Sequence, residues 1–216
     1  MTPHFFSRAA PRWLAAAAIA ASPGLSHALD GITDPTGDFL TTFAGSAASA
    51  DLDVVAATVT YNPSTDTFSL SSTMAGPIGL TPGGFYVWGV NRGTGAAGFA
   101  ANGLSGVLFD TVVLLRPNGT GTAAGTALPA GSISVAGNTI TGTFSGALLP
   151  STGFAKANYT FNLWPRDGAF SGFAAISDFA PNNANFTATP VPEPASLVLM
   201  GLGVGLLAWR RRAQRG

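Results

Sequence analysis

Five aspartates gather in two short stretches, Asp30-Gly31-Ile32-Thr33-Asp34-Pro35-Thr36-Gly37-Asp38 and Asp51-Leu52-Asp53. Carboxylates are hard oxygen ligands, and Ca2+ takes roughly six to eight oxygens, so acids this close in sequence could converge on one cation. The spacing does not follow the EF-hand loop. Asp34-Pro35-Thr36-Gly37 also suits a type I turn, with Asp at i, Pro at i+1 and Gly at i+3. The residues therefore leave two readings open: a structural calcium site built from Asp30, Asp34, Asp38, Asp51 and Asp53, or an ordinary turn with solvated acids. In the first reading calcium links loops and takes no part in catalysis.

Most other chemistry is excluded by residues the chain lacks. It has no cysteine, and its two histidines stand at positions 4 and 27. Beyond residue 27 it cannot build a Ser-His-Asp or Cys-His nucleophile or a His-ligated zinc site. No G-x-S-x-G elbow occurs. A glycosidase needs only two carboxylates, which leaves a carboxylate-only hydrolase as an alternative, although residues 29–190 contain no glutamate. Gly93-Thr94-Gly95-Ala96-Ala97-Gly98 fits G-x-G-x-x-G, but a dinucleotide site needs a helix opening there. Asn102-Gly103 interrupts the chain too soon for one, so the segment reads as a loop. For sugar binding the candidate is Trp164, which alternates onto a face with Thr160 and Asn162; Trp88 shares its face with Tyr86 and Val90 and reads as core.

These residues must be positioned by strands. Charged residues are 9% of the 216-residue chain against roughly 25% in ordinary soluble domains, while hydrophobic residues are 46%. Val55, Ala57, Val59 and Tyr61 alternate with small or polar neighbours, Asn62-Pro63-Ser64-Thr65-Asp66 turns the chain, and Phe68 and Leu70 continue a returning strand. Phe85–Val90 predicts a third strand, and Val107–Leu115 a central one, apolar on both faces. Ile133 and Val135 lead into Gly137-Asn138, a tight-turn signal, with Ile140 and Phe144 returning. Tyr159, Phe161 and Leu163 alternate in another strand. Gly/Ala/Thr-rich stretches at 93–103 and 119–131 read as loops. The expectation is an all-β fold, an antiparallel β-sandwich of jelly-roll type.

The two ends carry addresses. Arg8 and Arg12, the apolar run Trp13–Ala21 and the small residues Ser26-His27-Ala28 form the three regions of a secretory signal peptide, with cleavage after Ala28 by signal peptidase following export through the Sec machinery. At the other end Pro192-Glu193-Pro194 precedes an apolar stretch, Ala195–Trp209, and the cluster Arg210, Arg211 and Arg212. Fifteen residues make a helix of about 22 Å, short for a bilayer but workable with arginines at its border. The arginines act as a stop-transfer cluster by the positive-inside rule. The expected organisation is therefore a signal helix at 1–28, an exported β domain at 29–186, a linker at 187–191 and a sorting region at 192–216 with a transmembrane helix at 195–209.

Pro192-Glu193-Pro194, the short Gly-interrupted apolar stretch and the basic tail together resemble the PEP-CTERM sorting signal of Gram-negative bacteria. The resemblance implies processing by an exosortase, an integral-membrane enzyme that depends on cysteine and removes the tail during export. It implies export across the inner membrane, a transient membrane anchor and a final place at the cell surface or in an extracellular polysaccharide matrix. It implies no activity for the exported part. The opening D-P-T-G-D-F with D-L-D-V-V and the hairpin after it resembles secreted DOMON-like and carbohydrate-binding-like sandwiches. Residues 29–190 hold nine aspartates against Arg92, Arg116, Lys156 and Arg166, a net of −5 that offers no basic patch for nucleic acid. The expected function is a non-catalytic envelope or matrix protein, the alternative a carbohydrate-binding module.

Overall fold

The computed structural model describes residues 31–191, together with Leu202, Gly203, Leu207, Arg210 and Gln214. Ala28, Asp30, Pro192, Glu193, Pro194, Arg211 and Arg212 lie outside the described residues, as does the expected signal peptide. Leu202, Gly203, Leu207 and Arg210 are helical, and among the described residues no helix is long and apolar enough to cross a membrane.

The strands follow in chain order as β1 (Ile32–Thr33), β2 (Val54–Asn62), β3 (Thr67–Met74), β4 (Phe85–Asn91), β5 (Ala96–Phe99), β6 (Leu104–Phe109), β7 (Thr111–Leu115), β8 (Gly121–Ala123), β9 (Thr126–Ala127), β10 (Ile133–Ala136), β11 (Thr139–Ser145), β12 (Thr160–Arg166), β13 (Phe186–Thr187) and β14 (Thr189–Pro190). One sheet has the order β1-β2-β3-β11-β10, with β14 also on β2; the second has the order β13-β12-β4-β7-β8-β9; β5 and β6 form a separate hairpin. Every pairing is antiparallel except β14 on β2.

The hairpin β2–β3 shows how the sequence makes these elements. Phe68, Leu70, Ser72 and Met74 point inward while Thr67, Ser69, Ser71 and Thr73 alternate outward, the period-two pattern of a strand with one buried face. Asn62 Oδ1 accepts hydrogen bonds from the backbone N–H groups of Ser64 (2.9 Å) and Thr65 (3.3 Å), an Asx turn that starts the reversal. At the β10–β11 turn Gly137 takes φ 61, a left-handed conformation that a side chain would oppose.

The two sheets share one core. Val59, Phe68, Leu70, Ile140 and Phe144 from the first meet Trp88, Val113, Phe161 and Leu163 from the second. Phe68 stacks on Tyr159 at 5.7 Å and meets the edge of Phe161 at 6.1 Å. Burying each such side chain is worth about 1.5–3 kcal/mol. The opposite face of the second sheet is also covered. Val87 and Trp164 pack there with Val107, Ile176 and Phe179, and Phe99 and Phe109 of the β5–β6 hairpin close over them. This double coverage is why β4 and β12 are buried along nearly their whole length.

Four expectations are corrected here. Val107–Leu115 is not one central strand. It breaks at Asp110 into β6, in the covering hairpin, and β7, in the second sheet. The cause is the Asp110 carboxylate, which accepts hydrogen bonds from the Arg92 backbone N–H and Nε, from the Thr94 backbone N–H and hydroxyl, and from the Thr152 hydroxyl, and so turns the chain. The stretch 93–103 contains β5, and 119–131 contains β8 and β9. Residues 187–191 are held to the body by β13 and β14 instead of forming a free linker, and the Val191 N–H donates to the Tyr61 carbonyl at 2.9 Å.

Candidate metal centre

The acids of the first segment are placed by two backbone attachments. Strand β1 pairs Ile32 with Ala57, and the Asp34 N–H then donates to the Val55 carbonyl at 3.0 Å. The loop Asp34–Asp38 turns back at Gly37, whose φ is 83 and whose N–H donates to Asp53 Oδ2 at 2.8 Å. Asp53 stands immediately before β2, so this bond folds the loop over the start of that strand. The fourth acid comes from far away in sequence. Residues 176–180 return beside β12, bridged at Leu163–Ala180 and Arg166–Ile176. Ser177 Oγ donates to the Leu52 carbonyl at 2.6 Å, and Asp178 Oδ2 accepts from the Val54 N–H at 3.1 Å. One carboxylate oxygen each from Asp34, Asp38 and Asp178 lie within 4.8 Å of one another.

Burial makes this arrangement electrostatically costly. Asp178 is 0% and Asp53 3% exposed. Burial, with the negative charges of Asp38 and Asp53, pushes the Asp34 carboxyl up to about 7. Burial and the charges of Asp34 and Asp38 push Asp178 up to about 8, against the opposing backbone N–H groups of Val54 and Phe179. Asp53 is raised by burial first and by Asp38, with the Gly37 N–H pulling the other way. Three buried oxygens, Asp34 Oδ2, Asp38 Oδ1 and Asp53 Oδ1, accept no hydrogen bond. Asn182 Nδ2 donates to Asp38 Oδ2 at 3.3 Å. The ion pairs among the described residues, Arg92–Asp110 at 2.7 Å and Lys156–Asp66 at 2.8 Å, lie elsewhere.

Of the five expected acids, the fold brings together Asp34, Asp38 and Asp53, and Asp30 lies outside the described residues. Asp51 is a correction. Its carboxylate caps the loop between β3 and β4 instead, accepting from the N–H groups of Gly79 (3.2 Å) and Thr81 (2.8 Å) and from the Thr81 hydroxyl (2.6 Å). Ala50–Leu52 form a short 3-10 turn, in which residues two apart do not share a face, so Asp51 and Asp53 part on either side of the buried Leu52. Asp178 was not among the expected acids. Its signal is a single charge inside the apolar run Phe173-Ala174-Ala175-Ile176-Ser177-Asp178-Phe179-Ala180.

Trp164 is likewise corrected as a sugar platform. It shares the face of Asn162 as expected, but that face lies beneath the β5–β6 hairpin and leaves the ring 2% exposed. Gly89 makes room for it; a Cβ there would come within 2.6 Å of the indole Cη2. Trp88 is core, as its pattern indicates. The G-x-G-x-x-G residues run into β5 and open no helix. The charged clasp around Asp110 is the other polar cluster of note. Thr152, Arg92 and Thr94 hold its carboxyl below the usual range although burial alone would raise it. Asp110→Ala strands these donors and is expected to cost about 1–3 kcal/mol, measured by denaturant unfolding.

Residues 190–212 match the family model of the PEP-CTERM protein-sorting motif. The chain carries that sorting motif, whose first matched residue, Pro190, is also the last of β14. The motif marks a secreted protein of Gram-negative bacteria, handled by exosortase and sorted to the cell surface. No curated protein and no solved structure matches the chain.

Proposed function

We propose that this chain is a non-catalytic β-sandwich of the cell envelope or extracellular matrix, delivered and processed through Pro192-Glu193-Pro194. The observation that carries the reading is the sorting motif at 190–212 following directly on the last strand of the β body. The sorting route requires a signal peptide at 1–28 and a transient anchor at 195–209, with Arg210–Arg212 left on the cytoplasmic side. The outer face of the first sheet suits a hydrated matrix. Rows of hydroxyls cross it, with Ser69 against Thr143 and Thr73 against Thr139, both at 3.1 Å, and Thr141 donating to Ser71 at 3.3 Å. Such a face offers weak, repeated polar contacts to polysaccharide, useful when many copies act together.

The alternative of a dedicated carbohydrate-binding module is weakened by the burial of Trp164, and a carboxylate-only hydrolase by the enclosure of Asp53 and Asp178, which no sugar ring could reach. The test is intact mass and localisation of the native protein with and without Glu193→Ala. We expect the wild-type tail to be removed and the protein released to the surface, and the variant to keep its tail and stay in the membrane fraction. An intact tail with the same localisation in both would refute the sorting reading.

A further inference from the structure

We propose that Asp34, Asp38 and Asp178 bind one Ca2+ ion, which fastens the loop between β1 and β2 to the segment that follows β12, with the unpartnered carboxylate of Asp53 beside it as a further, outer-shell anion. The first observation is convergence: three carboxylate oxygens from residues 34, 38 and 178 sit within 4.8 Å of one another. The second is independent of that trio. Asp53 is 3% exposed, and its Oδ1 accepts no hydrogen bond while its Oδ2 is held by Gly37 inside the same loop. A buried anionic oxygen without a donor is costly unless a cation or a proton meets it. Asp34 Oδ2 and Asp38 Oδ1 are in the same condition, and all three belong to one electrostatically coupled group.

The donors that do approach, the N–H groups of Gly37, Val54 and Phe179 and the Asn182 amide, each take one oxygen and carry no full charge. They fix the orientation of the carboxylates and leave oxygens over. An all-oxygen set with several anionic members selects a hard divalent cation, and flexible carboxylates of mixed exposure favour Ca2+ over Mg2+, which demands near-ideal octahedral geometry. Asp34 and Asp38 are partly exposed, so water can complete the coordination shell. Such a site fits the weak range of extracellular modules, with Kd of about 10⁻⁴–10⁻³ M. The ion would tie residue 34 to residue 178 and stabilise the start of β2. This proposal is independent of tail processing.

The test uses the full chain in detergent, titrated with CaCl2 after EDTA treatment, with MgCl2 at equal ionic strength as a parallel arm. Calorimetry is expected to show one saturable Ca2+ site. Melting temperature is expected to rise by about 5–10 °C at Ca2+ near 100-fold above Kd. Asp34→Asn and Asp38→Asn should melt in EDTA at or above the wild-type temperature, because they remove repulsion, and should bind Ca2+ at least about 10-fold more weakly, as expected for a lost anionic ligand. Asp53→Asn removes a neighbouring charge and no ligand, and should weaken Ca2+ binding less than either. An unchanged wild-type melting temperature between EDTA and Ca2+ overturns the proposal, as does a Ca2+ response of full size in the variants. An equal response to Mg2+ overturns the assignment to calcium.

Discussion

Trp164→Ala is expected to lower unfolding stability by about 3–5 kcal/mol, the range for removing a buried aromatic side chain. For a domain of this size that is a fall in melting temperature of roughly 10 °C. The indole lies edge-on to Phe99 at 5.1 Å and 85°, and packs near Phe109 at 5.1 Å and Phe179 at 5.8 Å. It is thus the contact through which the β5–β6 hairpin is seated on the second sheet. Side-chain amides hold the outer edge of the same hairpin: Asn183 Oδ1 accepts from the Gly106 N–H at 2.8 Å, and Asn185 both accepts from the Leu108 N–H (3.0 Å) and donates to its carbonyl (2.7 Å). Losing Trp164 should therefore expose the β5–β6 amides to hydrogen exchange before the rest of the body, since locally weakened units open first. An exposed sugar platform predicts the reverse, an unchanged melting temperature with loss of polysaccharide retention. That result would return Trp164 to the surface.

The same residue shows where sequence reasoning succeeds and where it stops. Alternation along β12 separates Trp164 from Phe161 and Leu163, because side-chain direction in a strand is a local property. Whether the second face meets solvent depends on a hairpin some sixty residues earlier, and nothing near Trp164 records it. The hairpins β2–β3 and β10–β11 are legible for the same local reason, with their turns written in Asn62–Asp66 and Gly137-Asn138. Asp110 defeats the reading of Val107–Leu115 because its partners, Arg92, Thr94 and Thr152, are brought in by other elements.

The acid cluster divides in the same way. Asp34 and Asp38 share one turn, and that turn reaches Asp53 by a contact sixteen residues long, short enough for composition to hint at it. Asp51 sits two residues from Asp53, yet it belongs to the 3-10 turn Ala50–Leu52 while Asp53 is extended, and the carboxylates part company. Asp178 joins from the far end of the body through Val54, a contact of sequence separation 124. Only the pairing of β12 with the returning 176–180 segment puts it there. The C-terminal signal needs no such folding information, since its residue types and order are what the processing enzyme reads.

In EDTA, raising the pH from about 5 to 8 is expected to destabilise the protein by several kcal/mol, on the order of 5. Asp178, fully buried, has its carboxyl pushed up to about 8, while an unfolded chain returns it to the ordinary 3.8. Between those values the folded protein holds a proton that the unfolded chain has released. Stability then falls as pH rises, with the full contribution present below pH 3.8 and lost through pH 8. Asp34, pushed up to about 7, acts in the same direction and in the same window. Asp66 opposes them at the acid end. Its bond from Lys156 holds it below the ordinary value, so its contribution fades as pH drops toward and through that lowered value. The metal-free protein should accordingly be most stable in mildly acid solution. Saturating Ca2+ should flatten the slope above pH 5, because the ion keeps these carboxylates ionised in the folded protein, as they already are in the unfolded chain, and neither state then takes up protons. Urea unfolding at half-unit pH intervals, with EDTA and with Ca2+, measures both curves. Parallel curves would mean that the carboxylates carry no cation, and a flat curve in EDTA would mean that Asp178 is ionised in the folded protein.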